Sequence, residues 1–167
     1  EDAIEKSGCC YLILRSAWIY GNRGKNFLRT IQWLAQEREV MTIVHDQVGT
    51  PTWSRHIAEA TAQILDRYES SLWNQWRGVY HLASHGEASW YDFACSIIAN
   101  LPQERRRVRQ IKPVPSHELD GRACRPAYSV LSCEKIQRVF GVQLPHWRDA
   151  LNECLEEQSR CIARPIQ

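Results

Sequence analysis

The stretch Tyr11–Asn26, which reads YLILRSAWIYGNRGKN, decides the fold of this chain of 167 residues. It opens with Leu12–Leu14, an apolar run without polar alternation, which is typical of a strand covered on both faces in a mostly parallel sheet. Gly21 and Gly24 follow, and a helical pattern begins after Asn26. The stretch predicts strand, glycine loop and helix, an order in which ligands gather at the carboxyl end of the strand and anions meet a helix N-terminus.

Single residues of this stretch are also compatible with purely structural roles. Trp18 and Tyr20 fit ordinary core aromatics, Asn26 fits an ordinary helix cap, and Lys25 fits a solvated loop charge. Taken one by one, these residues favour the structural interpretation. Their combination in one short stretch favours a ligand site.

The rest of the chain alternates predicted helices and strands, marked by helical spacing of apolar residues and by short apolar runs. Ser89 and Asp92 predict a capping box, and Gly141 predicts a helix C-cap. Pro113 and Pro115 predict a break in regular structure. The predicted helices are Phe27–Arg38, Ser54–Tyr68 with Ser54 as N-cap, Ser89–Leu101, Ser132–Phe140 and a last helix from Trp147 to Leu155 with a frayed tail beyond Gln158, and the predicted strands are Leu12–Leu14, Val40–Val44 and Gly78–Ala83.

Bulk properties indicate one globular domain without a membrane or polyanion partner. A net charge of +2 is too small to indicate a nucleic-acid partner by itself. No apolar run approaches a membrane span and no leader is evident, so we expect a cytoplasmic protein. The seven cysteines form no C-x-x-C pair, which argues against a disulfide framework or zinc ribbon. His81 and His85 read as strand and turn, so a metal site there is not favoured.

Two further segments leave alternatives open. Asp46–Thr52, reading DQVGTPT, offers the neutral hydrogen-bonding groups of Gln47, Thr50 and Thr52, which suit a base or a sugar, but a plain turn explains it equally well. The basic cluster of Arg105, Arg106, Arg107, Arg109 and Lys112 fits either a phosphate contact or a solvated loop. The absence of interleaved aromatics favours the loop.

Eight blocks of the sequence, taken in order, carry a family resemblance. They are Ser16–Gly21, Gly24–Phe27, Asp46–Trp53, Gly78–Leu82, Ser89–Tyr91, Arg125–Leu131, Phe140–Val142 and Leu144–Trp147. Together they resemble the dTDP-4-dehydrorhamnose reductase family of extended short-chain dehydrogenases/reductases. The order of the blocks is specific, whereas any one alone would mean little. The similarity runs from the first residues to about Leu155 and is weaker at Glu69–Arg77 and Pro102–Gly121.

The resemblance implies an α/β fold, the C-terminal portion of an NAD(P)-binding Rossmann-like extended fold with its substrate-binding lobe. Residues 1–158 would form this part and residues 159–167 a tail. Glu1 would fall shortly after the catalytic lysine of the family. Lys6, Lys25, Lys112 and Lys135 are the only lysines, and none has a tyrosine four residues earlier. We therefore expect catalytic residues and the NADPH or NADH site to lie outside this chain, which alone would be inactive.

The resemblance also assigns roles to individual residues. Trp18 matches a tryptophan that lines the sugar pocket, where an indole can pack on deoxyhexose C–H groups. Arg125 would clamp the diphosphate or form a structural ion pair, and both readings stay open. The family often has Asp where His56 stands, which leaves the role of that position undecided. The substrate-binding set implied in this way is Trp18, Lys25, Asn26, Gln47, Thr50, Thr52 and Arg125, with no metal ligand among them.

The implied function of the parent protein is reduction of dTDP-4-dehydro-L-rhamnose to dTDP-L-rhamnose with NAD(P)H, for cell-surface polysaccharide synthesis. Its partner would be the nucleotide sugar, with no nucleic acid or membrane; a homodimer and a family Mg²⁺ site are open expectations. The alternative is a non-catalytic subunit that resembles the regulatory subunit of methionine adenosyltransferase. For the chain alone, an exposed edge at Leu12–Leu14 predicts poor stability in solution.

Overall fold

The computed structural model describes residues 1–67, 73–118 and 125–162, and within them helices alternate with short strands. Two 3₁₀ turns, Gln103–Arg105 and Ser116–Glu118, flank the last strand. The helices are α1 Asp2–Lys6, α2 Phe27–Glu37, α3 Ser54–Asp66, α4 Trp73–Trp76, α5 Trp90–Ala99, α6 Glu134–Phe140 and α7 Trp147–Ile162. The strands are β1 Leu12–Arg15, β2 Ile19–Tyr20, β3 Val40–Val44, β4 Val48–Gly49, β5 Thr52–Trp53, β6 Gly78–His81, β7 Ala88–Ser89 and β8 Gln110–Val114.

The strands form pairs, and most of the pairs are parallel. β1 pairs with β6, β2 with β5 and β3 with β8 in parallel, while β4 pairs with β7 antiparallel. Parallel pairing of β1 confirms what its apolar run predicts. Within the described ranges β1 has β6 as its sole strand partner, and Leu12–Leu14 is half-buried, which agrees with the predicted free edge. A cavity of about 230 Å³ opens beside Leu12 and Leu14.

Two hydrophobic clusters hold the elements together. The first joins α2, α5 and α7 to β2, β3 and β5, with Phe93, Leu28 and Trp147 almost completely buried. The second joins α3 and α6 to β6 around Ile64, Tyr80 and Ile136. Burial of such large apolar side chains is the main stabilising contribution to a fold of this size.

Helix ends follow the sequence signals with two exceptions. Ser89 and Asp92 form the predicted capping box of α5, and Gly141 ends α6 in the left-handed region at φ 64°. Ser54, however, is the first residue of α3 and its N-cap is Trp53, which makes no side-chain capping bond. The helix predicted from Ser132 begins only at Glu134.

Other corrections concern the second half of the chain. Pro113 lies inside β8, so the predicted break there is wrong. Among the described strands β8 pairs with β3 alone, and an edge strand tolerates proline because a missing N–H can face outward. The predicted fraying beyond Gln158 is wrong as far as Ile162, where α7 ends. Tyr68, the predicted end of α3, lies outside the described residues.

Two arginines of the basic cluster donate hydrogen bonds to carbonyls at helix C-termini. The Arg106 guanidinium donates to the carbonyls of Leu101 at 2.6 Å and Ala99 at 2.9 Å, at the end of α5. Arg107 donates to the Glu37 carbonyl at 3.3 Å, at the end of α2. Cations near helix C-termini interact favourably with unpaired carbonyls and with the helix dipole. This supports a structural role for these two side chains.

Asp46 provides a pH-dependent tie between β3 and the turn after β8. Its carboxylate accepts bonds from the Ser116 N–H at 2.9 and 3.0 Å and from the Ser116 hydroxyl at 2.9 Å. The backbone bond from Ser116, with help from its hydroxyl, lowers the pKa of the Asp46 carboxyl despite opposing desolvation.

We expect Asp46→Asn to be less stable than the parent chain at neutral pH. A lowered folded-state pKa gives stability that is present above the unfolded pKa and is lost as the pH falls through the folded pKa. The difference between parent and variant should therefore shrink on acidification, as measured by urea unfolding across a pH series. A difference that stays constant down to acidic pH would contradict the proposed tie.

Candidate functional site

Trp18 lies in the link between β1 and β2, at the centre of the candidate site. It is the one non-glycine residue with positive φ, 47°, in the described part of the chain. Such a backbone is disfavoured for L-residues and is often found at functional sites. The Trp18 carbonyl accepts a hydrogen bond from the Thr52 N–H at 3.1 Å, which ties the link to the 46–52 loop.

An aromatic stack covers one face of the Trp18 indole. Its ring centroid lies 3.5 Å from that of Trp90, with an interplanar angle of 2°. Phe27 packs on Trp90 at 4.5 Å and Phe93 lies next to Phe27 at 5.5 Å. The stack therefore continues into the first hydrophobic cluster, which gives the half-exposed indole a rigid support.

Gly49 brings backbone against the same indole. A Cβ at this position would lie 2.3 Å from Trp18 Cε2 and 2.5 Å from Nε1, and 2.8 Å from Ser129 Oγ. These distances are shorter than van der Waals contact, so the approach needs glycine. Trp18 and the DQVGTPT loop are thus in direct contact.

The segment after residue 125 forms another wall. Val48 donates to the Ala127 carbonyl at 2.8 Å and accepts from the Ser129 N–H at 2.8 Å, so this segment runs beside β4. The Tyr128 hydroxyl donates to Glu87 at 2.9 Å across the surface. Arg125 is exposed and lies two residues before Ala127, where this paired segment begins, which brings its part of the chain towards the loop.

The two threonines of the loop are engaged within the protein. Thr50 Oγ1 donates to the Gly86 carbonyl at 3.0 Å, and Thr52 Oγ1 donates to the Thr50 carbonyl at 3.1 Å. Thr52 Oγ1 also accepts from the Ser84 N–H at 3.3 Å. Both residues are about 1% exposed or less. Their hydroxyls shape the loop, while half-buried Gln47 keeps its amide nearer the surface.

The glycine loop places Asn26 as a cap. Its amide donates to the carbonyls of Gly21 at 2.9 Å and Arg23 at 3.1 Å, and its Oδ1 accepts from the Arg29 N–H at 3.3 Å. The side chain is therefore used within the loop and helix, which is the structural alternative left open by the sequence. Lys25 is exposed beside it.

Tyr20 does not act as a substitute catalytic tyrosine. Its ring is 2% exposed and packs on Phe93, and its buried hydroxyl has no hydrogen-bond partner within the described residues. Burial raises the pKa of this phenol, with a smaller contribution from Cys154. Lys25 is exposed, so the two residues do not form a proton-transferring pair.

A separate cavity of about 520 Å³ lies on the other side of Thr50, at the carboxyl end of β6. It is bordered by Ser84, His85 and the segment 130–134, and the buried Ser84 hydroxyl has no partner in the described ranges. His81 binds the Ser132 carbonyl at 3.1 Å and not a second ligand residue. In the described ranges no group of three or more His, Cys, Asp or Glu could hold a metal ion. Nor does a helix there have the length and apolarity to cross a bilayer.

Sequence reasoning misses the roles of Trp90 and Gly49 in this site. Both belong to blocks that carry the family resemblance, but the spacing along the chain gives no sign that they meet Trp18. For Gly49 the sequence does hold a sign of this role, because an isolated glycine in or next to a strand often marks a place where another group comes close to the backbone.

Two solved structures are similar to this chain over most of its length. The chain superimposes on the crystal structure of dTDP-4-dehydrorhamnose reductase from Bacillus anthracis in complex with NADP, with a TM-score of 0.80 and 29% identity over 93% of this chain and 52% of that one. The corresponding protein of Clostridium acetobutylicum gives a TM-score of 0.76 and 32% identity over 89% of this chain and 49% of that one. The fold is thus that of the C-terminal portion of a Rossmann-like extended short-chain dehydrogenase/reductase.

The family follows from the sequence match. Residues 1–160 match the model of the RmlD substrate binding domain, and the chain belongs to this family. It is 42% identical over 163 residues to dTDP-4-dehydrorhamnose reductase of Burkholderia thailandensis, which covers 94% of this chain and 55% of that protein. The chain spans about half the length of the curated relatives it matches.

Proposed function

We propose that this chain binds the nucleotide sugar in a dTDP-4-dehydrorhamnose reductase. The whole protein would reduce dTDP-4-dehydro-L-rhamnose to dTDP-L-rhamnose with NADPH or NADH, within dTDP-rhamnose biosynthesis. The observation that carries this proposal is the contact between the Trp18 indole and Gly49 of the 46–52 loop, in a chain of this family.

In this proposal, different site residues bind the sugar and the nucleotide. The Trp18 indole offers apolar surface to the C–H and methyl groups of a deoxyhexose. Gln47 can pair its amide with sugar hydroxyls or with the base. Arg125, exposed at the rim, can bind the diphosphate with its planar fork, and Lys25 can add a point charge. Thr50 and Thr52 contribute by holding the loop, since their hydroxyls already bond within the protein.

The cofactor is assigned to the other half of the longer protein. A dinucleotide site needs glycines and free N–H groups at a helix N-terminus. Here Phe27 stands where a third glycine would be needed, and Asn26 already occupies the Arg29 N–H. The residues of this glycine loop therefore do not fit NADPH or NADH.

A non-catalytic subunit of the same fold is the second candidate. It fits equally well a chain in which no tyrosine stands four residues before a lysine. The sequence of the complete coding region separates the two, because only an enzyme needs that pair. For either candidate we propose a cytoplasmic location and a small-molecule partner, with a homodimer as the assembly to test.

We expect Trp18→Ala to remove most of the preference of the chain for dTDP-L-rhamnose over dTDP. Loss of one apolar sugar contact should cost about tenfold in affinity for the sugar nucleotide, and leave dTDP nearly unaffected. Isothermal titration of the purified chain with both ligands measures the two dissociation constants. Trp33→Ala is the matched control, because Trp33 is 59% exposed on α2. An unchanged preference in Trp18→Ala would overturn the proposed function.

A further inference from the structure

We propose that Gly49 and Trp90 are positioning residues that hold the Trp18 indole in its sugar-binding orientation and so set the preference of the site for a 6-deoxyhexose. This inference rests on the proposed function, because it takes the sugar as the partner of Trp18. Neither residue needs to touch the ligand. Both act through the indole, Trp90 by stacking on its face and Gly49 by packing against its Nε1–Cε2 bond.

The backbone of Trp18 does not orient the side chain by itself. Its φ of 47° is a disfavoured conformation that surrounding contacts must maintain. The hydrogen bond from the Thr52 N–H at 3.1 Å fixes the carbonyl of Trp18, but leaves the indole free to turn about its side-chain torsions. The orientation must therefore come from what packs against the ring.

Trp90 provides a rigid surface for one face of the ring. The two indoles are parallel within 2° and 3.5 Å apart, the closest pair in the aromatic network of the described residues. Trp90 is the first residue of α5 and lies between Ser89 and Asp92, which form the capping box of this helix, and Phe27 packs against its ring. A residue held in this way has little freedom to follow a moving partner.

Gly49 restricts movement of the Trp18 indole towards β4. Any side chain there would meet Trp18 at 2.3 Å and Ser129 Oγ at 2.8 Å, so it could not turn aside without striking one of them. The backbone of β4 cannot easily withdraw, because Val48 is bonded to Ala127 and Ser129 on one side and pairs with Ser89 on the other. Even a methyl group at position 49 would therefore move the indole rather than the strand.

The preference for a 6-deoxy sugar follows from the part of the Trp18 indole that neither Trp90 nor Gly49 covers. With Trp90 stacked on one face and Gly49 over the Nε1–Cε2 bond, the fixed indole offers its remaining apolar surface at a single position. A 6-deoxy sugar can place C–H and methyl groups there, whereas a 6-hydroxyl group would lose water without gaining a partner. A loose indole would adapt to either sugar and lose this discrimination.

The test uses this chain and five variants, Trp18→Ala and the four described next, in the titration with dTDP and dTDP-L-rhamnose. Gly49→Ala and Trp90→Leu should each lower the preference for the sugar nucleotide about tenfold, approaching Trp18→Ala, with dTDP affinity within about twofold of the parent. Gly8→Ala is the control for the backbone cost of replacing a glycine, since its φ of 70° disfavours a side chain but a methyl group there meets nothing within 4 Å. Trp33→Leu is the control for the tryptophan.

A second readout needs no ligand. One α-proton of Gly49 points at the Trp18 ring, so its NMR signal should be shifted by the ring current and should move to an ordinary position in Trp18→Ala. Trp90→Leu should change the shift if Trp90 holds the ring. A parent-like shift in that variant would overturn the positioning role of Trp90 even if the variant binds poorly.

The outcomes separate the two proposals. If Trp18→Ala loses the preference while Gly49→Ala and Trp90→Leu keep it, the positioning inference is wrong and the proposed function stands. If Trp18→Ala keeps the preference, or the parent chain binds neither ligand, the proposed function is wrong and the inference falls with it. Parallel loss in all three variants, with normal controls, supports both.

Discussion

We expect NADPH oxidation in the presence of dTDP-4-dehydro-L-rhamnose from a chimera of residues 1–160 of this chain and the amino-terminal half of the Burkholderia thailandensis reductase. This chain alone is expected to give no turnover. The matched region supplies the basis for the join. The rate difference should be on the order of 10⁶-fold or more, the lower end of enzymatic acceleration.

The physical reason is the missing proton donor. Reduction of a ketone needs a proton for the new hydroxyl, and a phenol does this best when a nearby ammonium lowers its pKa. In this chain Tyr20 is buried with a raised pKa, and Lys25 is exposed beyond the glycine loop. Under the proposed function, we therefore expect sugar binding and chemistry to be divided between the two halves of the longer protein.

Absorbance of NADPH at saturating substrate measures the difference. The matched control is the chimera whose amino-terminal catalytic tyrosine is replaced by phenylalanine, which should bind both ligands without turnover. Turnover by the isolated chain would contradict the assignment of catalysis to the other half. A chimera that binds both ligands but stays inactive would argue for the non-catalytic subunit.

Trp147→Ala is expected to lower the free energy of unfolding by about 3–5 kcal/mol, the usual cost of removing a buried large aromatic side chain. Trp147 is 1% exposed, its ring packs edge-on against Phe93 at 5.9 Å, and its Nε1 donates to the Glu87 carbonyl at 3.1 Å. The substitution removes volume from the first cluster and leaves that carbonyl without its partner. Such a loss is a large part of the stability of a small domain.

Urea unfolding followed by circular dichroism tests this expectation. Trp147→Phe separates the hydrogen bond from the packing, because it keeps most of the ring volume and should cost less. Trp33→Ala removes an exposed indole and should change the free energy of unfolding by about 0.5 kcal/mol or less. A loss below about 1 kcal/mol in Trp147→Ala would mean that the cluster closes around the cavity without penalty.

The features that the sequence predicts correctly are those written in local patterns. Each of these features depends on neighbours within a few residues. They are the continuous apolar run of β1, the helical spacing of apolar residues in α2, the capping box at Ser89 and the left-handed cap at Gly141. Hydrophobic periodicity and cap chemistry are local, so one sequence is enough to read them.

The features that the sequence does not reveal depend on distant contacts. β8 tolerates Pro113 because of its position at the edge of a pair, which no local pattern specifies. In the site, Gly49 and Trp90 meet Trp18 from two other parts of the chain. Thr50 and Thr52 look like ligand-binding hydroxyls from their residue type, but their partners at Gly86 and Ser84 lie more than thirty residues away.

The separation of the hydrophobic interior into two clusters has a consequence for cooperativity. The Trp18 stack connects through Phe27 and Phe93 to the first cluster, while Ile136 and Phe140 belong to the second. Amide hydrogens in α6 can therefore exchange through openings that leave the aromatic stack closed. Ligand binding should then slow amide exchange strongly in α5, which packs in the first cluster, and only slightly in α6, which packs in the second.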